Sequence, residues 1–335
     1  MAPIPKKILN DPRNVVDEML DGLALAYDGT VERLLGKDVL IRTDLRAQKV
    51  ALLIGGGSGH EPIFHGFLGK NMGDAAACGQ VFAAPAPDTI MDAANAVHRG
   101  KGVLFLYGNY AGDNMNFDIA AELLEEEGMD IRTVRVADDV AAAPPERAHD
   151  RRGIAGDIYV IKIAGGAAEE LDTLDAVERV TRKAAENVRS MGVAVSAGSI
   201  PETGKPTFEL ADDEIEIGMG AHGEAGIAKQ KITSADNIAD QIMSKILEDI
   251  EIAPGQDVAL LINNLGATTM MEMLIVNRRL RQILAERNIN VYRTDVGTYL
   301  TVQEMAGFSI TLMKLDDELK HYLDLPSRSL GLSNM

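Results

Sequence analysis

Short runs of β-branched and apolar residues alternate along this chain with longer stretches whose apolar positions recur every three to four residues. A continuous apolar run suits a strand covered on both faces, and the three-to-four spacing suits a helix with one buried stripe. The alternation therefore predicts βα repeats around largely parallel sheets. Strands are predicted over 50–54, 103–107, 131–136 and 158–163 in the first half, and over 193–196, 215–219, 258–263, 289–292 and 308–313 in the second. Helices are predicted over 15–27, 89–98, 117–126, 167–190, 237–249, 268–286 and 316–322, with Asp88 and Ser234 as starters able to accept the free amide hydrogens of a first turn. The expected fold class is α/β: two α/β domains, each a mainly parallel or mixed sheet covered by helices. The long helix 167–190 reads as their connector, because a new strand pattern starts just after it. That puts a first domain at 1–190 and a second at 191–335. The stretches 141–145 and 199–206, interrupted by proline and glycine, read as surface loops.

Composition narrows the partners. At 335 residues the length fits two domains, and 46% hydrophobic with 25% charged content is an ordinary globular balance. A net charge of −18 opposes nucleic acid or an anionic membrane as the main partner. The longest basic runs, Lys6-Lys7 and Arg151-Arg152, are too short for a binding patch and read as solvated surface charge. The single cysteine, Cys78, allows no intrachain disulfide and no thiolate metal cage; between Ala77 and Gly79 it reads as a small core residue. No apolar stretch suits a signal peptide or a membrane span, so a cytoplasmic location is expected, with no metal site.

Two histidines carry the chemical interest. His60 lies in Gly55-Gly56-Gly57-Ser58-Gly59-His60-Glu61-Pro62 and His222 in Met219-Gly220-Ala221-His222-Gly223-Glu224-Ala225-Gly226, each a glycine-dense turn after a predicted strand. Glycine lets the main chain approach a ligand, and histidine is the side chain whose ordinary pKa lies near neutrality. Their occurrence in both halves suggests a cleft assembled from the two. The first run is not a Walker loop, because His60-Glu61-Pro62 stands where Lys and Ser or Thr are needed to reach phosphate and magnesium. Pro62 would suit the first turn of a helix, so amides here could still hold a polar oxygen; a structural turn fits the run equally well.

After strand 103–107 comes Gly108-Asn109-Tyr110-Ala111-Gly112-Asp113-Asn114, in the position where parallel α/β sheets build their ligand crevice. Asp113 is either a site residue or a cap for the helix from Phe117. At His222, a carboxylate from Glu224 that accepted one ring N–H would fix the tautomer and leave the other nitrogen as nucleophile or base, which is chemistry suited to a ketone. A structural histidine accounts for the same residues. His65 could sit near the pocket, and His98, His149 and His321 read as surface; Asp138-Asp139, after strand 131–136, could line the same crevice but reads first as a solvated loop. Met270, Met271 and Met273 read as core or interface packing.

Five motifs in order, GGGSGHEP at 55–62, NYxGDxxNF at 109–117, MGxHGE at 219–224, NNLGAT at 263–268 and GFSITL at 307–312, resemble the ketose-binding K subunit of dihydroxyacetone kinases over essentially the whole chain. The resemblance implies a cytosolic, homodimeric kinase subunit acting on a small ketose. It implies that His222 adds to the substrate carbonyl as a hemiaminal, which rejects polyols, and that His60 and Asp113 bond the substrate hydroxyls and take the proton from the attacking one. Gly56, Gly57, Ser58, Gly59, Gly108, Ala84 and Glu224 complete the expected substrate-binding set. The family's helical nucleotide-binding domain has no counterpart here. No cofactor is therefore expected on this chain, and ATP or ADP with Mg2+ is expected on a separate L-type donor subunit, which a phosphotransfer subunit can recharge. Three departures stand out: Gly108 where the family often has Lys, Ala84 where it often has Ser, and Ala225 where proline usually follows His-Gly-Glu. The first two remove polar side chains and leave space, which points to a ketose larger than dihydroxyacetone, such as erythrulose. A non-catalytic ketose-sensing coactivator is the alternative within the family, and a sugar-phosphate isomerase or aldolase the alternative outside it.

Overall fold

The computed structural model describes residues 6–220 and 222–333. From residue 7 onward the chain divides into two compact units that interleave in sequence, one formed by 7–136, 157–186 and 318–333, the other by 137–156 and 187–317. The chain thus passes between units at 136/137, 156/157, 186/187 and 317/318, where the sequence suggested one boundary near 190. Each unit contains a six-stranded mixed sheet covered by helices.

In the first unit the strands are β1 (Val31–Arg33), β2 (Val39–Arg42), β3 (Ala51–Ser58), β4 (Ala75–Val81), β5 (Val103–Gly108) and β6 (Ile131–Val136), in the order β1-β2-β4-β3-β5-β6. Strands β4, β3, β5 and β6 run parallel, and β1 and β2 close one edge antiparallel. The helices are α1 (Val15–Ala26), α2 (Pro87–Val97), α3 (Ala111–Glu126), α4 (Asp157–Glu170) and α5 (Leu174–Glu186). Strand residues Leu53, Ala77, Phe105 and Tyr107 pack with Ile90 and Ala94 of α2 and with Phe117 and Leu124 of α3 in one buried cluster. The Phe117 ring stacks on Tyr107 at 4.1 Å between centroids. Helices α4 and α5 also contact the sheet, so the central strands have no solvated face and read as unbroken apolar runs.

The run Ile158–Ile163, predicted as a strand, is the middle of α4. Every residue of α4 from Asp157 to Ala168 is buried, so its apolar residues show no one-sided stripe, and periodicity cannot separate a buried helix from a buried strand. The predicted helix 167–190 is in fact the end of α4, then α5, then the start of a strand. A charged cluster anchors α4: buried Lys49 meets Asp74 at 2.6 Å and Glu169 at 3.0 Å, and buried Arg42 pairs with the same two carboxylates. Removing one member would strand an uncompensated buried charge, a loss on the order of 3–5 kcal/mol.

In the second unit the strands are β7 (Val188–Ser196), β8 (Glu214–Ile217), β9 (Ala228–Lys231), β10 (Asp257–Asn264), β11 (Asn290–Gly297) and β12 (Ala306–Lys314), in the order β11-β10-β12-β7-β8-β9, with only β10 and β11 parallel. Helices α6 (Ala235–Asp249) and α7 (Met270–Glu286) pack Ile242, Ile246, Val276 and Leu280 against Leu260, Ile262 and Ile310. Ser234 caps α6, accepting from the Asn237 amide as expected. Asp88 does not cap α2, whose N-cap is Ala86. The last helix, α8 (Asp317–Asp324), returns the chain to the first unit.

Candidate active site

In the first unit the carboxyl ends of neighbouring strands β4, β3 and β5 set three loops side by side, the usual location of a crevice in a parallel sheet. The glycines expected in a turn after β3 are largely inside it: Gly55, Gly56 and Gly57 pair in parallel register with Ala77, Cys78 and Gly79. Close packing explains them. A Cβ on Gly56 would lie 2.5 Å from the Phe64 ring, and one on Gly57 would lie 2.9 Å from the Ala83 nitrogen. Gly59 is the turning residue, with φ +100°, and its N–H donates to Glu61 Oε1 at 2.8 Å. The loop therefore holds its own carboxylate, and Pro62 starts no helix; a short 3-10 turn, His65–Phe67, follows instead.

Ser58 donates its hydroxyl hydrogen to the Gly79 carbonyl at 2.7 Å, so it accepts from His65 Nε2 at 3.0 Å. Burial pushes the pKa of fully buried His65 down, consistent with a neutral ring. His65 and Ser58 thus brace the loop, and the Ser58 hydroxyl is committed within the protein. His60 is 6% exposed, its ring 5.0 Å from that of Phe82 in the loop after β4. That loop folds back tightly, since a Cβ on Gly79 would lie 1.9 Å from the Ala83 carbonyl oxygen.

Gly108 is the last residue of β5. The next helix begins at Ala111, not Phe117, so Asp113 stands inside its first turn, half-buried, and does not act as the cap. A carboxylate there is favoured by the amide dipoles of the helix start. Asn114 Nδ2 donates to Asn109 Oδ1 at 2.8 Å, and Asn116 Nδ2 to the Pro85 carbonyl at 2.9 Å, which ties α3 to the loop carrying Ala84. A Cβ on Gly112 would touch Ala84 Cβ at 3.4 Å, so Ala84 packs over the first turn of α3.

In the second unit His222 lies in the connection between β8 and β9; Ala221 is outside the described residues. Gly218 and Gly223 take φ of +79° and +83°, angles at which a side chain would be strained. The Glu224 carboxylate folds back over the turn. Its Oε2 accepts the His222 backbone N–H at 2.8 Å and its Oε1 lies 3.2 Å from His222 Nδ1. A carboxylate only accepts, so Nδ1 carries the proton in this contact, which in the neutral ring puts the lone pair on Nε2. Burial pushes the Glu224 pKa up, but the side-chain and backbone hydrogen bonds it accepts in the His222 turn oppose this, and the net is a fall to about 2. The His222 side chain is 30% exposed. Ala225 is exposed in the place of the usual proline.

Two readings of charge change here. Asp138 and Asp139 are buried, not solvated. Asp138 accepts the Ile154 and Gly156 amides at 2.7 and 2.8 Å. Asp139 Oδ2 accepts from Arg152 at 2.7 and 3.0 Å. Of the doublet, Arg151 is buried and paired to Asp249 at 2.8 Å, and Arg152 is half-buried against Asp139. Sequence reading missed Arg152. The available signal was a pair of acidic residues and a pair of basic residues within one short segment, which can neutralise one another on burial. The NNLGAT and GFSITL motifs act as brackets: Asn263 Oδ1 accepts the amides of Tyr299 and Leu300, and the Thr268 hydroxyl exchanges bonds with the Gly307 main chain at 2.7 and 2.8 Å. His149 and His321 are exposed, His98 is half-buried, and burial pushes the Cys78 thiol pKa up. Among the described residues no group of three or more His, Cys, Asp or Glu could hold a metal ion, and no helix is long and apolar enough to cross a membrane.

The Dak1 domain model matches residues 21–331. The chain is 43% identical over 323 residues to the dihydroxyacetone-binding subunit of PTS-dependent dihydroxyacetone kinase 2 from Listeria innocua, covering 96% of this chain and 97% of that one. It is 37% identical to the L-erythrulose 1-kinase of Mycolicibacterium smegmatis, over 95% of this chain and 56% of that protein. Among solved structures, the dihydroxyacetone kinase from C. freundii, in complex with AMP-PNP and Mg2+, superposes with a TM-score of 0.91 at 32% identity, covering 98% of this chain and 61% of that one. This chain thus spans about three-fifths of that kinase. A dihydroxyacetone kinase operon co-activator superposes with a TM-score of 0.89 at 30% identity, over 95% and 98% of the two chains.

Proposed function

Because the chain belongs to the Dak1 domain family, we propose that it is the substrate-binding subunit of a dihydroxyacetone-type kinase, which captures a short ketose on His222 and presents its terminal hydroxyl to a separate donor subunit. The observation that carries this reading is the Glu224 carboxylate, which takes both the backbone N–H and the Nδ1 proton of His222 and leaves Nε2 as the nucleophile. The Nε2 lone pair forms the C–N bond and the carbonyl π pair moves to oxygen. The proton released from Nδ1 along the Glu224 bond is made up at that oxygen through solvent, giving a neutral hemiaminal. A polyol has no carbonyl and is not held.

His60 and Asp113 are the acid-base groups of the same reading: they bond the substrate hydroxyls and take the proton from the one that attacks phosphorus. Covalent capture fixes orientation, and the acid-base pair lowers the barrier to attack. Retention of both residues favours a kinase subunit over a sensing co-activator. The ATP or ADP with Mg2+ belongs to the donor subunit; a phosphotransfer partner, a homodimer and a cytoplasmic location follow from the same family reading.

The substrate is a short ketose, dihydroxyacetone or a four-carbon ketose. Gly108 at the end of β5 and Ala84 over the start of α3 support the larger one, since neither carries a polar side chain into its loop. Turnover of dihydroxyacetone and of both erythrulose enantiomers with a purified L-type donor subunit tests this. Preference for a four-carbon ketose is the expected result, and a clear preference for dihydroxyacetone refutes the size assignment. Loss of the ketose adduct in His222→Ala is expected by intact-mass measurement; capture at another residue would overturn the mechanism.

A further inference from the structure

The tautomer of His222 depends on Glu224, and Glu224 has a neighbour of its own. Arg152 Nη1 stands 3.9 Å from Glu224 Oε2, the oxygen that holds the His222 backbone N–H. Arg152 is held on three sides: Nε and Nη2 donate to Asp139 Oδ2 at 3.0 and 2.7 Å, Nη2 also reaches the Gly218 carbonyl at 3.2 Å, and the Arg152 carbonyl accepts the Asp139 N–H at 3.1 Å. Asp139 is 1% exposed, so this anchor is shielded from competing water.

The meeting of guanidinium and carboxylate needs Gly220. A Cβ there would lie 2.3 Å from Glu224 Oε2 and 2.4 Å from Arg152 Nη1. The absent side chain at 220 is thus where the two charged ends pack over the turn. Asp138, through the Ile154 and Gly156 amides, closes the segment 138–156 so that Arg152 returns beside Asp139.

We propose that Arg152, anchored by Asp139 and admitted by Gly220, is a positioning residue for the nucleophile: it holds the Glu224 carboxylate in the one orientation that accepts both the backbone N–H and the Nδ1–H of His222, and so keeps the ring in the Nδ1–H tautomer. The inference rests on His222 capturing a carbonyl, but its own subject is the ring's tautomer, which is observable without substrate. Arg152 acts through Glu224 and not on the reacting nitrogen itself.

The test is made on the full chain with 15N-labelled histidine, reading the His222 tautomer without ligand, and with dihydroxyacetone labelled with 13C at the carbonyl to read capture. In Arg152→Gln the ring is expected to shift from the Nδ1–H form to a mixture, and capture to weaken roughly fivefold, as for loss of a partly buried ion pair. Arg152→Lys, which restores the charge without the planar fork, is expected to recover part of both. Asp139→Asn loosens the anchor of Arg152 without touching Glu224; the same shift is expected, and it serves if Arg152→Gln does not fold. A purely structural role for Arg152 would lower the urea midpoint while leaving the tautomer and capture of the folded variants at wild-type values, and that result would overturn the proposal. If the wild-type protein captures no ketose, the functional reading fails, while the tautomer comparison still decides the role of Arg152.

Discussion

Replacing Glu224 with glutamine changes one atom and removes half of the acceptor capacity that the His222 turn uses. In the native turn Oε2 takes the His222 N–H at 2.8 Å and Oε1 faces Nδ1 at 3.2 Å. Glutamine offers a single oxygen, so whichever donor it satisfies, the other faces an NH2 group. A hydrogen bond to a charged acceptor contributes about 1.5–3 kcal/mol. The Glu224 side chain is 37% exposed, so water replaces part of that loss, and a net cost of about 1–2 kcal/mol follows. At about 1.4 kcal/mol per factor of ten, capture weakens by roughly 5- to 30-fold. Titration with ketose labelled with 13C at the carbonyl reads this directly, as the ketone resonance gives way to that of a carbon bonded to oxygen and nitrogen. Capture at wild-type affinity in a folded Glu224→Gln protein would refute the assignment of Glu224 as the group that fixes the nucleophile.

Three further outcomes are expected. His60→Asn and Asp113→Asn should each cut phosphorylation with a donor subunit by about 10²- to 10⁴-fold, with carbonyl capture retained in the NMR titration; loss of capture alongside turnover would remove the division of labour between them and His222. Burial raises the Asp139 pKa and Arg152 lowers it, with a net rise from 3.8 to about 6, so between those values the folded protein binds more protons than the unfolded one. Its contribution to stability therefore falls as pH rises through that window, and Asp139→Asn should flatten the slope of the urea midpoint between pH 4 and pH 7; an unchanged slope would contradict this. Gly79→Ala drives a Cβ to 1.9 Å from the Ala83 carbonyl oxygen, a backbone clash that cannot relax by rotating a side chain. It should cost upwards of about 3 kcal/mol, measurable by denaturation, and a stability equal to wild type would mean that the turn after β4 is not as tight as described.

Legibility in the sequence followed the physics of each segment. Strand β6 was bounded correctly at Ile131–Val136, and the strands β5 and β10 within a residue, because turn residues flank their apolar runs. Strand β4 was missed: its Ala-Ala-Ala-Cys-Gly core has none of the β-branched bulk that marks a strand, and its small residues serve close packing against β3. Helix α4 was read as a strand because all-round burial erases the amphipathic signal. At the site, the glycine–histidine turns were visible because glycine and histidine are scarce and chemically distinctive. That Gly56 and Gly57 serve packing, and that Ser58 is tied to Gly79 and His65, depends on strand register and could not be read from order alone. Arg152 escaped for the opposite reason: arginine on a loop looks like surface until a buried carboxylate 13 residues earlier in the chain is seen to hold it.

The interleaving of the two units has a consequence for how the protein is made and cut. The first unit cannot be finished when residue 186 leaves the ribosome, since Asn71 bonds the Pro326 carbonyl, Lys162 the Tyr322 carbonyl, and the Gly331 amide donates to Gly66. Its last pieces arrive only after the whole second unit has been synthesised. A nascent chain must therefore hold a first unit that has its sheet but lacks its last helix and carboxyl-terminal segment while the second sheet forms. A protease nick or a fusion junction near residue 190 separates the first unit from its closing helix, and deletion from the carboxyl terminus injures the unit that is translated first.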